Sequence, residues 1–141
     1  MKLDLLRNEL IRDEGLKLTA YKDSVGLWTI GVGHLLGDEQ RMTEITTDEA
    51  HALLEWDIRI AQSRLAPLIS PAEFDALSDP RQRALINMAF NLGHRLGQFK
   101  KFWMAFTAKD WTASGKEMMD SKWAVQVGTR AERLRDMIVT G

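Results

Sequence analysis

The chain has no cysteine among its 141 residues, so neither disulfides nor thiolate metal sites hold it together and apolar packing must carry its stability. Histidine is scarce as well. His34, His51 and His94 are scattered and make a poor metal set, and neither a metal nor a cofactor is expected. No apolar run approaches the roughly 20 residues that span a bilayer. The N-terminal MKLDLLRNEL is interrupted by Asp4, Arg7 and Glu9, so it reads as an amphipathic helix and not as a signal peptide. Membrane insertion and unaided export are therefore not expected. The length fits one domain, 1–141, with room for a real core and for division into two lobes.

The net charge of −1 conceals an asymmetry. Residues 1–80 carry 8 Lys+Arg against 15 Asp+Glu, and residues 81–141 carry 11 against 5. Solvated helix faces account for such runs more simply than a dedicated polyanion site. A basic half can nevertheless face an anionic partner, although nucleic acid is not the partner expected.

Leu3, Leu6 and Leu10 fall at helical spacing, and Gly15 is a natural stop, so a first helix should end near Asp13 or Glu14. From Leu16 to Val32 the period becomes two. With a turn at 22–26, this stretch predicts a β-hairpin, in which Gly31 and Gly33 mark close approach by another group. Thr46 and Glu49 form a capping box before a long helix whose stripe is Ala50, Leu53, Leu54, Ile58, Ala61 and Leu65. Ser70-Pro71 and Asp79-Pro80 each read as an N-cap followed by proline at the first helical position. The second opens a helix that Gly93 closes. Phe99, Phe102, Trp103 and Phe106 predict another, Asp110 to about Lys122 a further one, and Thr129 with Glu132 caps a last. The result is an α+β domain: a small antiparallel sheet, one long connecting helix and a helical lobe holding most of the core.

Residues 12–34, RDEGLKLTAYKDSVGLWTIGVGH, concentrate the reactive side chains. Glu14, at a helix C-terminus beside Asp13, sits where negative charge is disfavoured, which suits a general acid. Asp23, in a polar turn, suits the ionised partner. Two carboxyls in these roles are what glycosidic bond cleavage uses, yet spacing alone favours ordinary surface acids for both. Thr29 is first a strand former whose hydroxyl is able to hold a water. His34 reads most simply as paired with a nearby acid. Asn87 and Asn91, four apart on an apolar helix, read equally as buried amides satisfied by backbone or as donors lining a cleft. Trp103, Trp111 and Trp123 read as core and not as sugar platforms.

The ordered set Asp13-Glu14-Gly15, Tyr21-Lys22-Asp23, Thr29 to Leu36, Thr47-Asp48-Glu49-Ala50, Arg83 to Phe90 and Trp123 to Arg133 resembles the phage-type lysozymes of glycoside hydrolase family 24, over nearly the whole chain. The resemblance implies a lysozyme-like fold, with a small β-containing lobe at about 15–55 and a helical lobe at about 66–141 that includes the N-terminal helix. It implies a muramidase that cuts the β-1,4 bond between N-acetylmuramic acid and N-acetylglucosamine in peptidoglycan. Glu14 would be the general acid, Asp23 the second carboxylate and Thr29 the residue placing water. Gly33, Leu35, Asn91 and Phe99 would contact substrate. Arg130 would lie close to Glu14, and His34 and Asp57 would form an ion pair. Members of this type invert the anomeric centre, which requires carboxyls roughly 6.5–9.5 Å apart, here expected across a cleft between sheet and helical lobe. The expected setting is a monomer made in a host cytoplasm and released by a holin-like protein to the periplasmic wall, or delivered by a larger injected machine.

The chain also departs from the T-even phage members of the family. From His34 to Thr46 is only 12 positions, which trims the small lobe, and Asn91 replaces a glutamine. A lytic transglycosylase and a non-catalytic wall-binding module are the rival readings. Asp23 and Thr29 argue against the first, because closing an anhydro ring needs no water-directing pair.

Overall fold

The computed structural model describes residues 1–141. Helix α1 (Leu3–Glu14) stops where Gly15 takes φ +77° and its N–H closes on the Ile11 carbonyl at 2.8 Å. Three antiparallel strands follow, β1 (Lys17–Lys22), β2 (Trp28–Gly31) and β3 (His34–Gly37), lying side by side in chain order. The expected hairpin is thus the first half of a meander. Val32 is not in a strand but in the tight turn to β3, where Gly31 and Gly33 both have positive φ, a conformation that glycine adopts without steric cost. The two-residue period also misleads in β1, whose Leu18 is exposed, as is Leu16 just before it. The buried apolar side chains are Ile30 and Val32.

The segment before α2 (Thr47–Leu65) lies along β1: Ala20 N–H donates to the Thr43 carbonyl and Ile45 N–H to the Leu18 carbonyl, both at 2.9 Å. This carries Ile45 onto Ile30 and Ala50, with Ala20, Leu36 and Leu53 packed around them. The predicted capping box is present, with Glu49 N–H donating to Thr46 Oγ1 and Thr46 N–H to Glu49 Oε1, each at 3.1 Å. On the same helix Glu55 pairs with Arg7, which also donates to Asp4 at 2.7 Å and so ties α1 to α2.

The helical part contains α3 (Pro71–Asp75), α4 (Asp79–Leu92), a 3₁₀ segment (Gly93–Gln98), α5 (Lys100–Thr107), α6 (Trp111–Met119), α7 (Lys122–Val127) and α8 (Thr129–Thr140). Ser70 caps α3 as predicted, in a full capping box. Three other expectations are corrected. Asp79 is not a cap: Ser78 is, being extended and accepting from Arg81 N–H, while the Asp79 carboxylate accepts from the Lys2 backbone and from Arg83. Thr129 lies inside α8, where its hydroxyl accepts from Arg133, and Gly128 occupies the cap position. The helix expected to run to Lys122 breaks at Ser121, whose hydroxyl donates to the Met118 carbonyl at 2.6 Å and accepts from Ala124 N–H at 3.2 Å.

Two compact units emerge, Leu3–Ile60 on one side and Met1–Lys2 with Ala61–Gly141 on the other. The division falls within α2 and counts α1 with the sheet. In the helical unit α6 and α4 pack on α8, and Phe102, Trp103, Phe106 and Trp111 stack edge-on in sequence with centroids 5.1–5.7 Å apart. Trp103 and Trp123 are buried core residues, as expected. The architecture is the mainly helical α+β one that the sequence predicted.

Candidate active site

Glu14 is the last residue of α1, so its side chain leaves a helix end. Its carboxyl rests on the α-carbon of Gly33: a Cβ there would meet Glu14 Oε2 at 2.8 Å and Cδ at 2.9 Å. The close approach expected at this glycine is therefore made by the acid itself. No side chain larger than hydrogen fits without moving the carboxyl.

Asp23 sits in the turn between β1 and β2, and one of its oxygens is fixed from below. Oδ1 accepts from Val25 N–H at 3.0 Å and Leu27 N–H at 2.9 Å, while the Asp23 N–H donates to the Leu27 carbonyl at 2.8 Å. Aspartate favours such turns because its short side chain satisfies backbone donors just ahead of it. Neither of these bonds falls on the second oxygen. Leu27 also receives the Thr29 hydroxyl, at a long 3.3 Å. The backbone of Leu27 thus links Asp23 to Thr29, which is 5% exposed. Sequence reasoning missed this role, since a backbone contact leaves no mark on residue type.

The strand register places Thr29 opposite Tyr21 on one side and Leu35 on the other. Paired residues of an antiparallel ladder share a face, so Tyr21, Thr29 and Leu35 form one row across the sheet. Leu35 is exposed on it. Tyr21 is half-buried, with the Lys17 ammonium 4.3 Å from its ring centroid. Burial pushes its phenol pKa up, and the negative charges of Glu14 and Asp23 push it further. Tyr21 is the second residue that sequence reasoning missed, although the alternation Tyr21-Lys22-Asp23 was the available signal.

His34 Nδ1 lies 2.7 Å from Asp57 Oδ2, with both side chains about one-fifth exposed. The hydrogen bond to Asp57 raises the His34 pKa, burial opposes it, and the Asp57 charge adds to the rise. The expected pair is formed and joins β3 to α2.

The helical unit holds the remaining residues. Arg130 is buried and directs Nε and Nη2 onto Asn87 Oδ1 at 3.0 and 2.8 Å. Asn87 is thus a buried amide with a side-chain partner. Asn91 Oδ1 accepts from Trp123 Nε1 at 2.6 Å, and Trp123 meets the Phe99 ring edge-on at 6.1 Å. Trp123, expected only as core, therefore links the two residues expected to touch substrate.

The phage lysozyme family model matches residues 12–136. The chain belongs to the phage lysozyme family. Probable T4-type lysozyme 1 of Dictyostelium discoideum is 32% identical over 161 aligned positions, covering 96% of this chain and 94% of that protein. The pre-baseplate central spike protein Gp5 of Enterobacteria phage T4 is 33% identical over 160 positions, which cover 94% of this chain and 27% of the spike protein. An endolysin of Salmonella phage P22 is 35% identical over 89 positions, 60% of this chain and 58% of that protein. The chain is accordingly a lysozyme, a hydrolase of peptidoglycan. None of this lysozyme's helices is long and apolar enough to cross a membrane.

Proposed function

We propose that this lysozyme cleaves the β-1,4 bond between N-acetylmuramic acid and N-acetylglucosamine with inversion, Glu14 being the general acid, Asp23 the base toward water and Thr29 a holder of that water. The observation that supports it most is the different anchoring of the two carboxyls. Glu14 is packed on the α-carbon of Gly33 at a helix end, whereas Asp23 is held in its turn by two backbone N–H donors to Oδ1. In the proposed step Glu14 gives its proton to the leaving oxygen as the anomeric bond to it breaks. Water forms the new bond from the opposite face and loses a proton to Asp23. Leu35, exposed on the row beside Thr29, and Gly33, on which Glu14 rests, are proposed as substrate contacts of the small unit. Asn91 and Phe99, joined through Trp123, are proposed as substrate contacts of the helical unit.

We further propose that the enzyme works as a monomer on the bacterial wall, released there by a separate membrane-permeabilising protein. The P22 endolysin supports that setting by its name. Similarity to part of a baseplate spike protein supports a second one, in which such a unit is carried by a larger particle.

The test is mass spectrometry of fragments released from purified peptidoglycan by the parent and by a folded Glu14→Gln variant. The parent should release muropeptides ending in free reducing N-acetylmuramic acid, and the variant should be slower by about 10²–10⁴-fold. Anhydro ends would identify a transglycosylase, and no release by a folded parent would leave a wall-binding module.

A further inference from the structure

The attacking water has two hydrogens to give and two lone pairs, one of which forms the new bond. A carboxylate only accepts, and the Asp23 oxygen that takes neither backbone bond is left to receive one hydrogen. Thr29 has a single hydrogen of its own, turned toward the Leu27 carbonyl at 3.3 Å, so toward water it too presents lone pairs. Two acceptors engage both hydrogens of the water but leave its second lone pair unheld. A donor belongs there, and it must remain protonated between two carboxyls.

Tyr21 meets those requirements. It is the cross-strand partner of Thr29, lies two residues before Asp23, and its half-buried ring is covered by Lys17. Burial and the charges of Glu14 and Asp23 oppose ionisation of the phenol, and a neutral phenol is a donor. We propose that Tyr21 donates a hydrogen bond to the attacking water, completing with Asp23 and Thr29 the set that aims it at the anomeric carbon. The inference rests on the reading of Glu14, Asp23 and Thr29 given above. Proton bookkeeping is unchanged: the water proton goes to Asp23, the Glu14 proton to the leaving oxygen, and Tyr21 keeps its own.

Steady-state kinetics on soluble murein oligosaccharides, with parent, Tyr21→Phe and Glu14→Gln side by side, provide the test. Because the water is used only in the chemical step, Tyr21→Phe should lower kcat about tenfold, the worth of one hydrogen bond to a reacting group, with KM within about twofold and the melting temperature unchanged. A parental kcat in Tyr21→Phe overturns the proposal, as does a change confined to KM, which would make Tyr21 a saccharide contact instead. If Tyr21→Phe does not fold, a second variant remains. Tyr21 is the only tyrosine in the chain, so biosynthetic replacement by a polyfluorinated tyrosine whose phenol ionises near neutral pH alters this site alone. Relative to the parent at each pH, its kcat should fall as that phenol ionises, and a constant ratio overturns the proposal. An inert parent, or full activity in Glu14→Gln, would instead defeat the underlying reading and is distinguishable from either result.

Discussion

Side chains of the small unit are placed by what their neighbours leave room for. Gly33 carries two constraints at once, a φ of +62° and a carboxyl where its Cβ would be. A left-handed conformation costs a non-glycine residue about 1–2 kcal/mol. Gly33→Ala should therefore lower stability by at least that amount in chemical denaturation. It should also lower activity on the order of 10²-fold, because the acid is displaced by about an ångström; a variant with parental activity would show that Glu14 is not held against Gly33. The His34–Asp57 pair gives a pH signature. Its partner raises the folded-state pKa of His34, so the stabilisation is fully present below the unfolded value of about 6.5 and is lost as pH rises through the folded value. Asp57→Asn should thus depress the melting temperature most near pH 6 and progressively less toward pH 9. A pH-independent deficit would contradict the pair's ionic character.

At the scale of elements, contacts between side chains hold the helices in place. Arg130 of α8 and Asn87 of α4 meet in a buried two-pronged hydrogen bond, and Arg81 of α4 donates to the carbonyls of Ile138 and Val139 at the end of α8. Removing the amide leaves a buried cation short of an acceptor. Asn87→Ala should cost about 1.5–3 kcal/mol, the range for a hydrogen bond to a charged group, read as a lower urea midpoint at unchanged slope. Elements were legible where local chemistry is self-sufficient: Gly15 ends α1, Thr46 and Glu49 start α2, Ser70 starts α3 and Gly93 ends α4. They were not legible where a rival partner decides. Asp79 looks like a cap but is taken by Lys2 and Arg83, and Ser121 breaks a helix by binding Met118. β3 was hidden because the turn at Val32-Gly33 spans only two residues and merges two strands into one apolar run.

For the whole molecule, the charge division of the chain follows its structural one only loosely, since the acidic first 80 residues extend past Ile60 into the helical unit. The residues of the candidate site were legible through the ordered family resemblance, because the spacing of Glu14, Asp23 and Thr29 by itself fits ordinary surface acids and a strand threonine equally. How they are held was not. The Leu27 backbone joins Asp23 to Thr29, Gly33 seats Glu14, and the strand register brings Tyr21 opposite Thr29; all three are products of folding that a residue alphabet does not encode. The central claim is that water, directed by Asp23 and held beside Thr29, attacks opposite Glu14. Proton NMR of the first sugar anomer released from a soluble murein oligosaccharide, recorded before mutarotation, tests it most directly. The account predicts N-acetylmuramic acid appearing first as the α anomer from the β-linked substrate; a β anomer at the earliest times would contradict it.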